Sequence, residues 1–85
     1  MIPAVDPAAR HEDAASRARD EQDRARSEGR FGSVLAAVDR ERRHLELAAA
    51  FLDEAADVAT AIGDRSGARS YRARATSLRS WAHVL

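Results

Sequence analysis

The sequence predicts an all-α protein: an antiparallel, coiled-coil-like helical hairpin with an additional polar N-terminal helix, three helices in total. Three observations carry this. Glycine and proline are confined to residues 3–7, 29–32 and 63–67. Between those breaks apolar residues recur at spacings of three and four, the period of one helix face. The last two segments also carry complementary charge, acidic on one and basic on the other.

The chain opens on an irregular lead-in set by Pro3 and Pro7. Asp6-Pro7 is a helix start, because aspartate caps free N–H groups and proline suits the first helical position. A helix is expected from Ala8 to about Glu28, rich in strong helix formers and in opposite charges four apart, as in Asp13 and Arg17 or Asp20 and Arg24. Its apolar stripe is alanine alone: Ala8, Ala15, Ala18 and Ala25. Such a stripe buries little area, so the remainder is expected to stand without residues 1–28.

Gly29 to Ser33 is the first break, with Gly29 as a C-cap and Ser33 as the next N-cap. A long helix over 34–62 follows. Its stripe runs Phe31, Val34, Val38, Glu41, Leu45, Ala48, Leu52, Ala55, Ala59, Ile62, an a/d heptad repeat with one polar member, Glu41. Leu47, Phe51, Ala55 and Val58 form a second row beside it. Gly63 to Gly67 is a turn, and a last helix over 68–84 carries Ala68, Tyr71, Ala75, Leu78, Ala82 and Leu85. So short a turn forces the two helices antiparallel. Residues 1–30 thus divide from a hairpin unit, 31–85.

Composition narrows the class. With 85 residues the chain is one small domain, marginal without added support. There is no cysteine, which removes disulfides and thiolate metal sites, and a cytoplasmic setting is the natural expectation. Fourteen basic and fourteen acidic residues cancel, so no global attraction to nucleic acid or anionic membrane is expected. Every basic residue is arginine, which with the alanine excess suggests a GC-rich bacterial genome. No run approaches the ~18 apolar residues of a membrane span, and the N-terminus lacks the apolar core of a signal peptide.

Residues 51–78, FLDEAADVATAIGDRSGARSYRARATSL, resemble a stretch of tetratricopeptide (TPR) repeat proteins. The likeness lies in an alanine-rich helix that ends in I-G-D-R-S-G-A and runs into the next helix. It covers about a third of the chain and implies a helical hairpin with a protein-binding role. The chain departs from that family in lacking a 34-residue period and in its long unbroken helix. Glu12, Ser16 and Arg19 resemble part of the helical motif of small coiled-coil anti-sigma factors that bind a cyclic dinucleotide. Asp23 and Ser27 stand where that pattern continues with glutamine and aspartate, so no role is carried over.

Two further patterns carry chemistry. Glu41 and His44 have the Glu-x-x-His spacing of di-iron helical bundles, which also need carboxylates on facing helices. The last helix supplies none on its stripe, so the alternative reading is a lone polar residue fixing register. On that reading, Glu41→Leu is expected to stabilise the seam. Arg65, Arg69, Arg72 and Arg79 form a stripe suited to phosphate, or equally to the acidic flank of the long helix, Glu46, Asp53, Glu54 and Asp57. The second use is favoured.

No nucleophile elbow, phosphate loop or strand to mount one is visible, so no catalytic residue and no cofactor is assigned. The expected function is a non-enzymatic interaction, assembly or regulatory module. Its partner-binding residues are then the apolar ones of the hairpin: Leu45, Leu47, Phe51, Leu52, Val58, Ile62, Tyr71, Leu78, Trp81 and Leu85. A hairpin alone cannot cover both rows of the long helix, so a second copy (homodimer or four-helix bundle) or a partner protein is expected to do so. The alternatives are a metal-binding bundle on Glu41 and His44, and a nucleic-acid or nucleotide-binding coiled coil on the arginine stripe.

Overall fold

The structure, a computed structural model, describes residues 2–85, so the first residue of the lead-in lies outside the described residues. Three helices account for nearly all of them: α1 (Val5–Ser27), α2 (Phe31–Ala61) and α3 (Arg65–His83). The all-α class and the antiparallel α2–α3 hairpin are as the sequence leads one to expect.

Each helix starts about three residues before its expected first residue. α1 begins at Val5 because Pro7, as third helical residue, occupies a position whose N–H has no partner in any helix. α2 begins at Phe31, which places Gly32 and Ser33 inside the first turn, with no side-chain cap on Arg30. α3 begins at Arg65 because the Asp64 side chain accepts from the Gly67 N–H at 2.9 Å and so caps the helix there.

The two turns share one geometry. Gly29 has φ +71° and Gly63 has φ +82°, the left-handed conformation that glycine adopts without a Cβ clash. The N–H of Arg30 bonds to the Ala25 carbonyl at 2.9 Å, and the N–H of Asp64 bonds to the Ala59 carbonyl at 2.8 Å. Both are Schellman closures, which reverse the chain tightly enough to set successive helices side by side.

α2 is a spine, with α1 packed on one side of it and α3 on the other. α1 and α3 make no backbone-level contact with each other. Long side chains bridge them: Arg74 pairs with Glu12, and the Arg19 guanidinium lies 5.2 Å from the Trp81 ring centroid. The result is an elongated molecule, 51 × 21 × 13 Å.

The core gathers Ala8 and Ala15 of α1, Leu45, Ala48, Ala49 and Leu52 of α2, and Ala75, Leu78 and Ala82 of α3. This corrects one expectation and part of another. The polar N-terminal helix is a core element, and the chain's own α1 and α3 cover the middle of the first apolar row of α2 (Leu45, Ala48, Leu52, Ala55 and Ala59), while Phe31, Ile62, Leu47 and Val58 stay exposed. The physical reason is the small side chain: facing alanines let helix axes approach closely, so backbone and Cβ atoms supply dispersion contacts that a count of large residues misses.

Candidate interaction surface

Three polar contacts set α1 on α2. Gln22 Nε2 donates to Glu41 Oε1 at 2.6 Å, Arg40 pairs with Glu21, and the Nδ1 atoms of His11 and His44 lie 2.9 Å apart. His11 also stacks on Phe51, with centroids 5.7 Å apart and planes 11° apart. The His44 pKa is lowered from its ordinary 6.5, first by burial, then by His11 and by the charges of Arg43, Arg17 and Arg40. Glu41 is 1% exposed, and its Oε2 has no protein partner among the described residues. Glu41 and His44 therefore point to different neighbours on α1 and are not brought together. Among the described residues no three His, Asp or Glu side chains converge as a metal would need.

Ion pairs also set α3 on α2. Arg72 pairs with Asp57 at 3.3 Å and Arg79 with Asp53 at 2.5 Å. This is the charge complementarity expected of the hairpin. It engages Arg72 and Arg79 of the arginine stripe, while Arg65 and Arg69 stand exposed beside them along a shallow depression with Thr60 and Thr76.

The apolar residues expected to bind a partner divide three ways. Leu45, Leu52 and Leu78 are buried in the chain's own core. Phe51, Tyr71, Trp81 and Leu85 are half-buried against that core. Leu47, Val58 and Ile62 are exposed. In this fold the first group is closed to a partner, because α1 and α3 already occupy the surface it would offer.

A different stretch is open. Two rows run along α2 in steps of seven: Phe31, Val38, Leu45, Leu52, Ala59, and Leu35, Arg42, Ala49, Ala56. The later members of both rows are buried, on the side of α2 where α3 pairs with Asp53 and Asp57. The earlier members are not. Phe31 is 70% exposed and Leu35 is 72% exposed, with Val34, Val38 and Arg42 half-buried beside and beyond them.

The cause is a difference in length. α2 has 31 residues and α3 has 19. α3 runs back along α2 only until Ala82 and His83 come beside Glu46. Residues 31–42, ~18 Å of α2, therefore carry α1 on one side and lack the cover that α3 gives further along. None of Phe31, Val34, Leu35, Val38 and Arg42 is among the expected binding residues; Phe31, Val34 and Val38 stand only on the heptad stripe. Counting back from the turn at Gly63 with the length of α3 is the sequence signal that finds them.

The molecule is thus a three-helix protein with a spine longer than one of the helices packed on it. No protein-family model matches the chain, and no curated protein or solved structure does either. No helix among the described residues is long and apolar enough to cross a membrane.

Proposed function

We propose that the chain is a non-catalytic protein-interaction module that binds through the first half of α2. The observation that carries this reading is the apolar strip Phe31, Leu35 and Val38, edged by Val34 on the α1 side, which continues the α3-covered face beyond the end of α3. Two exposed large apolar side chains, Phe31 and Leu35, with half-buried valines beside them, favour a docking helix over open solvent. Arg42, at the end of the strip, pairs with Asp39 on the same helix, so this pair adds no net charge to draw a strongly charged partner.

The test is a photoreactive phenylalanine analogue at Leu35, compared with the same probe at exposed Ala50. Irradiation in the native host is expected to give protein adducts from position 35 and none from position 50. Equal labelling, or none, overturns the reading.

A further inference from the structure

We infer that the occupant of the uncovered stretch is a second copy of this chain, packed antiparallel, α2 against α2. The inference rests on the interaction reading above and goes beyond it by naming the partner and its register.

The strip itself supplies the argument. Along the uncovered face the residues that project are Phe31, Leu35, Val38 and Arg42, at intervals of four, three and four. That spacing reads the same in both directions. Laid antiparallel on itself about a two-fold axis between residues 36 and 37, the strip brings Phe31 level with Arg42 of the second copy. Leu35 then comes level with Val38 of the second copy, and each contact occurs twice. Such reciprocity is the requirement of an isologous interface.

The chemistry of each pair fits. Leu against Val is apolar contact. Phe against Arg is a cation–π pair, favourable when the guanidinium lies over the ring face and is partly removed from water. Arg42 is half-buried on the apolar face, and its ion pair, to Asp39 on the same helix, is long at 3.9 Å and shared with Arg43, which sits nearer to Asp39 at 3.0 Å, so the guanidinium can turn to a ring face at little cost. One strip therefore carries both halves of its own complement.

Orientation and length agree. A two-fold axis perpendicular to α2 makes the second α2 antiparallel, the direction in which α3 already lies on this face. In the proposed register the second copy's α2 begins level with Arg42, and α3 ends level with Glu46. The two helices follow one another along the seam without competing for the same stretch. α1, on the other side of α2, is displaced by neither. Contact over residues 31–42 of each copy is smaller than a standard interface, so a weak dimer is expected, with a dissociation constant of about 10–100 μM.

The test is sedimentation equilibrium from about 5 to 500 μM on the full chain, with two variants. Phe31→Arg sets like charges against each other across the axis and is expected to weaken dimerisation at least tenfold. Adding Arg42→Glu to it restores an attractive pair and is expected to return the constant to within about threefold of the parent. Within one chain the two positions are ~16 Å apart along the helix, so that rescue cannot come from inside a copy. Helicity and melting temperature report folding, which a change at exposed Phe31 leaves intact. A parent that is monomeric throughout, an unaffected Phe31→Arg, or a failed rescue overturns the inference. If the position-35 probe then labels a different protein, the second-copy occupant falls while the interaction reading stands. If it labels nothing, both fall.

Discussion

The imidazoles of His11 and His44 share one hydrogen bond, Nδ1 to Nδ1 at 2.9 Å, across the α1–α2 interface. The bond requires one ring to donate and the other to accept, so it exists only while the accepting nitrogen is unprotonated. Burial, His11 and the nearby arginines hold the His44 pKa below its ordinary 6.5. The unfolded chain, at the ordinary value, then binds more protons than the folded one as pH falls through that range. Stability therefore rises with pH across this window: the contribution is present above about 6.5 and is lost progressively below it. Melting temperature between pH 7.5 and 5.5 is expected to fall as pH drops, and His44→Asn is expected to flatten that dependence. A parent equally stable at both ends contradicts this account.

Gln22 and Glu41 form the other lock between these helices, and both are buried. Glu41→Leu strands the Gln22 amide in the core, so it is expected to cost ~1–3 kcal/mol instead of stabilising the seam. Gln22→Leu leaves a buried carboxylate without its donor and is expected to cost at least as much. The double variant removes both polar groups and should recover parental stability or exceed it. Urea melts of the four proteins give the coupling directly.

Gly67 and Gly32 both lie in the first turn of a helix, yet they respond differently to alanine. A Cβ at Gly32 meets open space, so Gly32→Ala is expected to stabilise by up to ~0.5–1 kcal/mol through helix propensity. A Cβ at Gly67 sits 2.8 Å from Asp64 Cγ and displaces the capping carboxylate. Gly67→Ala is therefore expected to lose the cap, at a cost of ~1 kcal/mol that its propensity gain does not overcome. Thermal melts that rank both variants above the parent refute the capping argument.

Removing residues 1–28 uncovers the side of α2 that α1 occupies, including Glu41, His44 and Phe51. The truncated chain is expected to lose most of its cooperative melt, and its helicity at 25 °C should fall well below that of residues 29–85 in the parent. Circular dichroism of the two proteins decides the point. An intact, cooperative 29–85 hairpin shows that α1 is dispensable.

The helices and turns were legible because their signals are local. Gly29 and Gly63 each close a Schellman turn, and the three–four spacing of α2 holds from Phe31 to Ala59. The pairing of Asp53 and Asp57 with Arg79 and Arg72 followed from the antiparallel direction. The role of α1 was not legible, because hydrophobicity weighs alanine lightly while packing weighs it by how near it lets a neighbour come. A finer signal was present. Ala8, Ala15 and Gln22 are seven apart, as are Val34, Glu41, Ala48 and Ala55, and each row holds one polar residue. Those two polar residues meet. The open strip escaped notice because it depends on how far α3 reaches, a property of two elements compared and of neither alone.

Because α1 and α3 rest on α2 and make no backbone-level contact with each other, all helix packing joins neighbours in sequence. The chain can assemble by two short reversals, each closing over a three-residue connection, and no distant segments need to find one another. Low contact order of this kind places the folding time in the microsecond-to-millisecond range, set by helix growth and hairpin zipping. It also lets α3 open while α1 and α2 stay paired, so amide exchange in α3 should proceed by a local opening shallower than global unfolding, whereas exchange in α1, whose loss uncovers Glu41 and His44, should approach the global limit.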